Sequence, residues 1–210
     1  MNNFCPLCNS VATVFYKNND RLYHQCTHCL GIFMDQTLRY DKENEKSRYL
    51  NHNNDVDDEG YQQFVSPITL AVMRDFSPEH QGLDFGAGTG PVISKILKDN
   101  QFNIRPYDPF FYNYPQLLAE SYDFIVCCEV MEHFYNPTKE FSLLKSLLNE
   151  GGRLYCMTEI YSEDIDFPTW YYKADTTHVF FYHRQSLQYI KEQCSFSALL
   201  IEDRLITFSK

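Results

Sequence analysis

Two pairs of cysteines open the chain, Cys5-Pro6-Leu7-Cys8 and Cys26-Thr27-His28-Cys29. Two residues between thiols let both sulfurs of a pair reach one ion, and two such hooks complete a tetrahedral shell. A shell filled by Cys5, Cys8, Cys26 and Cys29 leaves no position for a reacting water, so a zinc ion held there is structural. His24 and His28 are near enough to substitute as ligands, His28 less readily because it lies inside the second hook. The remaining cysteines, Cys127, Cys128, Cys156 and Cys194, fall on expected strands or a helix end, where a buried thiol behaves as a small hydrophobe.

A second chemical signal is Leu83-Asp84-Phe85-Gly86-Ala87-Gly88-Thr89-Gly90, an acid followed by alternating glycines. Such a loop turns tightly and lets a ligand approach the backbone. The dinucleotide fingerprint G-x-G-x-x-G would place its last glycine at 91, where this chain has Pro91. A carboxylate beside the loop would also repel a pyrophosphate, whereas it attracts the ammonium group of a bound amino acid. These two points favour S-adenosylmethionine over a dinucleotide. Asp108, eighteen residues past Gly90, ends the next strand, where a carboxylate either accepts hydrogen bonds from ribose hydroxyls or turns the chain before Pro109.

A third constellation is Glu129-Val130-Met131-Glu132-His133. On a helical turn its i, i+3, i+4 spacing puts Glu129, Glu132 and His133 on one side, where they would bind a divalent ion, act as a general base, or simply cap and pack. His178, with Asp175, offers a second catalytic candidate in the insert TWYYKADTTHVFFY, whose Trp170, Tyr171 and Tyr172 would line an acceptor pocket or fill the core. Tyr49, His52 and Tyr61 belong to a stretch that reads as solvated loop or as a lid.

The elements that must position these groups alternate. Phe64, Val65, Ile68, Val72 and Phe76 recur at helical spacing, predicting a helix over 62–76 with Pro67 near its first turn. A strand at 82–85, the glycine loop and a helix over VISKILKDN follow. Next come a strand at 102–108, a short helix at PQLLAES, an apolar strand at 122–130 buried on both faces, a helix at 138–148 closed by Gly151-Gly152, and a strand at 153–160. HVFFY, a helix at 185–193 and two strands joined at Glu202-Asp203 end the chain. Strands alternating with helices predict a parallel sheet. Three regions result: a ribbon at 1–40, an acidic connector or lid at 41–61, and a cofactor-binding domain at 62–210.

The ordered set LDFGAGTG, Asp108, YDFIVCCEVMEHF and GGRLYCMTE resembles the motifs of class I S-adenosylmethionine-dependent methyltransferases, over about residues 60–210. The run EVMEHF before a Gly-Gly turn is similar to the ubiquinone-biosynthesis O-methyltransferases. The resemblance implies an α/β Rossmann-like fold: a mainly parallel seven-stranded sheet with helices on both faces, here with a small N-terminal zinc ribbon. It implies that Asp84, Gly86 and Gly88, with Ala87, hold the methionine part of the cofactor, Asp108 the ribose, and the backbone near Cys128 and Glu129 the adenosine or sulfonium. It further implies that Glu129, Glu132 and His133 either bind Mg or, as in many relatives, carry no metal, that the segment Glu129 to His133 faces the transferred methyl group, and that the insert carrying His178 helps form the acceptor pocket.

Composition limits the partners. The chain has 210 residues and a net charge of -10, and residues 1–40 hold three basic and two acidic side chains, so the acidity lies beyond them. A long polyanion binds through basic patches, which makes a small-molecule acceptor the better expectation than nucleic acid. A ribosomal-RNA-type methyltransferase docking through its ribbon, and a non-catalytic cofactor-fold module, are the competing expectations. No apolar run approaches a membrane span, and unexported thiols suit the reducing cytoplasm. Nothing in the sequence bears on oligomeric state.

Overall fold

The computed structural model describes residues 3–50 and 55–210. Its first strands are short and antiparallel: β1 (Asn3–Phe4), β2 (Val11–Lys17), β3 (Leu22–Cys26) and β4 (Ile32–Met34). Each cysteine pair is followed by a residue in the left-handed region, Asn9 (φ 56°) and Leu30 (φ 57°), which folds the chain back around its two thiols. Val11 and Val14 of β2 face solvent, while Phe15 packs edge-on against Tyr161 and Phe167.

The connector is helical where it is described: α1 (Lys42–Leu50) precedes α2 (Glu59–Asp75). Asp58 caps α2 by accepting a hydrogen bond from the Tyr61 amide at 2.7 Å, so this helix begins earlier than the apolar periodicity alone suggests. Pro67 therefore lies inside α2, not in its first turn. Burial of Val65, Ile68, Ala71 and Val72 along one face offsets the hydrogen bond that proline removes.

The second sheet begins with β5 (Gln81–Phe85), α3 (Val92–Asp99), β6 (Asn103–Tyr107) and β7 (Tyr122–Cys128). It continues with α4 (Pro137–Leu147) and β8 (Leu148–Met157) and then, after β9 (Phe180–Phe181), which joins the N-terminal strands instead, with α5 (Arg184–Gln193), β10 (Ala198–Glu202) and β11 (Leu205–Ser209). Its strand order is β10-β11-β8-β7-β5-β6. β6, β5, β7 and β8 run parallel, and β11 and β10 close the edge antiparallel. Among the described residues the sheet has six strands, against the seven that the resemblance implies. The physical reason lies in segment 108–121, which holds an isolated bridge and a 3-10 turn and is too short for a further strand with its own crossovers.

Alternation along the strands explains the three layers. Phe124, Val126, Tyr155 and Met157 face α2 and α3, whereas Ile125, Cys127, Leu154 and Cys156 face α4 and α5. Two expected boundaries move. β7 stops at Cys128 because Glu129 is left-handed (φ 51°), and β8 starts at Leu148, taking Gly151 (φ 78°) and Gly152 into the strand where a helix-closing turn was expected.

The N-terminal sheet is completed from the far end of the chain: β4 pairs with β9, pairing Ile32 with Phe181 and Phe33 with Phe180. Cys5, Leu7, Cys26, Cys29 and Phe33 belong to the same buried cluster as the β7 and β8 residues facing α4 and α5. Ser186 at the start of α5 donates to the Cys29 carbonyl at 2.8 Å, and Thr138 at the start of α4 donates to that of Leu7. Among the described residues no helix is long and apolar enough to cross a membrane.

Candidate functional site

The glycine loop is held by β6. The amides of Gly86 and Ala87 both donate to the Tyr107 carbonyl, at 2.8 and 3.1 Å, and the Gly88 amide donates to Asp108 Oδ2 at 3.1 Å. Gly86 (φ 81°) and Gly88 (φ 61°) need the freedom of glycine, and a Cβ on Gly86 would come within 2.4 Å of the Val130 side chain. The loop so formed borders a cleft lined by Tyr61, Asp84, Gly86, Ala87, Pro91 and Cys128. Asp84 lies at its base, 4% exposed, and accepts from Ser94 Oγ at 2.8 Å. Burial pushes its carboxyl up to about 6. Ser94 and the charge of Lys98 only partly offset that burial, and a ligand ammonium would favour the ionised carboxylate further.

Asp108 is buried at the junction of β6 and the next turn. Its Oδ1 accepts from the amides of Phe110 and Phe111, at 2.8 and 3.1 Å, so the turn-forming reading describes what its carboxylate does in this structure. Carboxylate oxygens have capacity for further donors such as ribose hydroxyls.

The second group of candidate residues is built on the turn that follows β7. Glu129, Glu132 and His133 do not form one helical face: Glu129 sits left-handed at the strand end, and only Met131–His133 make a 3-10 turn. The Glu129 carboxylate pairs through Oε1 with Arg204, at 2.8 Å, which also contacts Glu159 at 3.3 Å, and its Oε2 accepts from Tyr172 Oη. This corrects the trio expected from spacing. The structure instead joins Glu132 and His133 to His178.

That meeting is made by backbone bonds. Segment 176–182 runs along the turn: the Val179 amide donates to the Glu132 carbonyl at 2.9 Å, and Tyr182 Oη donates to the Met131 carbonyl at 2.9 Å. His133 Nδ1 lies 3.0 Å from the Thr177 carbonyl and His178 Nδ1 lies 2.7 Å from the Tyr172 carbonyl. The ring centroids of the two histidines are 4.8 Å apart. Glu132 is fully buried, and its carboxylate accepts from Tyr172 Oη at 2.6 Å and Thr158 Oγ1 at 3.1 Å. Burial raises Glu132 well above the ordinary carboxylate range, and burial with the nearby Glu132 charge does the same to Glu129.

Other candidates separate. Trp170 packs among Tyr161, Phe167 and Phe181 in an aromatic cluster that seats this insert on the N-terminal sheet, and Tyr171 is 65% exposed. Tyr172 carries the functional signal of that insert, because its hydroxyl touches both Glu132 and Glu129 (3.1 Å). Asp175 does not join the cluster around Glu132; it holds the turn before His178 through Thr177 and pairs with Arg48 of α1 at 3.0 Å. Tyr49 lies over the site, its ring 5.4 Å from that of His133 and 5.9 Å from Phe110, and Tyr61 borders the cofactor cleft. His52 lies outside the described residues. Thr158 and Arg204 were missed in sequence, having no motif of their own, and Tyr172 was expected there only as a pocket-lining or core ring.

The thiols of Cys5, Cys8, Cys26 and Cys29 all lie within 4.8 Å of one another. The Cys5–Cys29 and Cys8–Cys26 sulfur distances are 3.6 and 3.3 Å, near the ~3.8 Å separation that tetrahedral Zn–S bonds impose. Amides of Leu7, His28 and Cys29 point at these sulfurs, each at 3.4 Å, a pattern that stabilises thiolates. His24 is no ligand here: it pairs with Asp35 at 3.0 Å and with Asn3, and His28 stacks edge-on against Tyr189.

Comparison with known proteins agrees with this architecture. A family model described as a methyltransferase domain matches residues 40–198, and the chain belongs to that family. The protein is therefore a methyltransferase by family. No curated protein matches it in sequence. Among solved structures it is similar to an O-methyltransferase family protein from Burkholderia thailandensis, with a TM-score of 0.53 at 11% identity, covering 79% of this chain and 61% of that one. It is also similar to magnesium protoporphyrin IX methyltransferase from Synechocystis with bound SAH, with a TM-score of 0.50 at 15% identity, covering 81% and 95%. A third is a methyltransferase of calicheamicin biosynthesis in its SAH-bound form, with a TM-score of 0.50 at 12% identity, covering 71% and 54%. The chain thus spans little more than half of some relatives and nearly all of another.

Proposed function

We propose that this protein transfers the methyl group of S-adenosylmethionine to a small-molecule acceptor held beside Glu132, His133 and His178. The observation that carries the reading is Asp84, a buried carboxylate at the base of a cleft whose rim is the Gly86–Gly88 turn. A carboxylate there favours the cofactor's ammonium group and opposes the phosphates of a dinucleotide. The loop backbone would hold the methionine part, Asp108 the ribose, and the backbone by Cys128 and Glu129 the region of the sulfonium. That two structural neighbours carry SAH in this fold supports the assignment.

Transfer itself asks little covalent chemistry of the protein. The acceptor's lone pair attacks the methyl carbon as the carbon–sulfur bond breaks, and the electron pair leaves on sulfur; alignment supplies most of the acceleration. Glu132, His133 and His178 form the polar group on the acceptor side, and their role is to ease removal of the acceptor's proton. The four thiols fit zinc, which would supply folding energy to a sheet too small to stand alone.

Calorimetry with S-adenosylmethionine and S-adenosylhomocysteine tests the reading: saturable binding to one site per chain is expected, and no binding of either defeats it. The acidic balance of the chain favours a small acceptor over RNA; salt-dependent retention of RNA would reverse that preference. A chain rich in free cysteines suits a reducing compartment such as the cytoplasm.

A further inference from the structure

The six-stranded sheet ends on one side in β6 and on the other in β10, and the two edges are built differently. β6 carries Pro106, which has no amide hydrogen, and Arg105, whose guanidinium pairs with Glu120 at 2.9 Å; both discourage another strand from adding there. β10 has no such device. Ala198-Leu199-Leu200-Ile201-Glu202 holds no proline, lysine or arginine, and its register with β11 runs unbroken from Ala198 opposite Ser209 to Glu202 opposite Leu205. Among the described residues only β11 hydrogen-bonds this backbone, so its outer row of amides and carbonyls is open. Leu199 and Ile201 pack inward on the cluster shared with α4 and α5, whereas Leu200, on the opposite face, is 49% exposed.

Charge is divided along this edge. Glu202 and Asp203 close the strand, both exposed, and neither enters an ion pair among the described residues. Cations flank its start: Lys145 lies over the Phe196 ring at 5.3 Å, and Lys210 follows Ser209, whose carbonyl accepts the Ser197 amide at 2.8 Å. Lys210 has Glu150 at 3.6 Å, but Lys145 has no ion pair among the described residues, and burial with the Lys210 charge lowers its pKa. We propose that β10 pairs antiparallel with β10 of a second copy of this chain, joining the two six-stranded sheets across a two-fold axis at Leu200. That register sets Leu200 against its own symmetry mate, Leu199 against Ile201 and Ala198 against Glu202. It covers both half-exposed leucines, pairs both open rows, and brings the acids ending one strand to the lysines flanking the start of the other. The cofactor cleft lies on β5 and β7, away from this edge, so the pairing leaves it open and stands apart from the methyltransferase reading.

Sedimentation equilibrium of the full chain over a wide concentration range should show a reversible monomer-dimer equilibrium. Leu200→Lys sets two ammonium groups face to face and should weaken dimerisation at least ~10-fold. Ala198→Lys sets an ammonium against Glu202 and should leave the dimer as tight as wild type or tighter. Both positions are exposed, so circular dichroism should not change. A wild-type chain that stays monomeric throughout overturns the proposal, as does a dimer that survives Leu200→Lys or one that both lysines weaken equally. Should Leu200→Lys fail to fold, Ala198→Glu, which sets a carboxylate against Glu202, must weaken the dimer in its place. Calorimetry with S-adenosylhomocysteine on the same samples separates the two readings, since a chain that binds it yet never dimerises refutes only the pairing.

Discussion

At the scale of single residues, Asp84 and Tyr172 carry the sharpest consequences. The folded Asp84 carboxyl titrates near 6 against an ordinary 3.8, so between those values the folded chain keeps a proton that the unfolded chain has lost. Stability of the ligand-free protein therefore falls as pH rises through that window, by up to ~3 kcal/mol. Asp84→Asn should remove this fall, which denaturant unfolding of both proteins on either side of the window will show. The same substitution should weaken S-adenosylhomocysteine binding ten- to a hundredfold by calorimetry, because a neutral amide cannot pair with the ligand's ammonium. In wild type, that affinity should drop as pH falls below about 6 and the carboxylate protonates. Tyr172→Phe removes a hydroxyl that donates to the buried Glu132 at 2.6 Å, leaving the carboxylate with less compensation. A loss of ~1–3 kcal/mol in unfolding free energy is expected.

At the scale of elements, the site depends on two turns and a seam. The 3-10 turn Met131–His133 is a template along which segment 176–182 lies, and that alignment places His178 against Glu132. The seam is the β4–β9 pairing, where Gly31 lies so close to β9 that a Cβ would come within 2.4 Å of the Phe180 ring. Gly31→Ala should overpack this contact, lowering stability by ~1–3 kcal/mol in thermal or denaturant melts. Sequence rules located most helices and strands from α2 onward, because periodicities of 3.6 and 2 are local properties of the chain, but gave neither α1 nor the separate N-terminal strands. They failed at Glu129, where a residue type common in helices adopts φ 51° to end β7 and turn beneath the glycine loop.

At the scale of the whole molecule, the N-terminal sheet and the α/β body share one buried cluster, which links the four cysteines to the elements around Glu132. Ile32 and Phe33 pair with the Phe180–Phe181 strand, two residues past His178. Stripping the proposed zinc should therefore do more than loosen residues 3–34. Hydrogen exchange after chelation is expected to show lost protection at β9 and in segment 176–182 together with the N-terminal strands, and a lower melting temperature for the whole protein. Exchange confined to the first strands would show that the two sheets are energetically separate.

From its residues alone the chain discloses the cysteine hooks, the acid-flanked glycine loop, the alternation of strands and helices, and Glu132, His133 and His178 as individual candidates, since each rests on spacing within a short stretch. Only the tertiary structure chooses among them. It takes Glu129 off the turn that carries Glu132 yet bridges the two through the Tyr172 hydroxyl, joins His178 to His133 across the chain, and gives Thr158 its part at the carboxylate. It also completes the N-terminal sheet with a strand from residues 180–181. Those pairings depend on long-range hydrogen bonds and on burial of a shared core, neither of which leaves a periodic mark in the sequence.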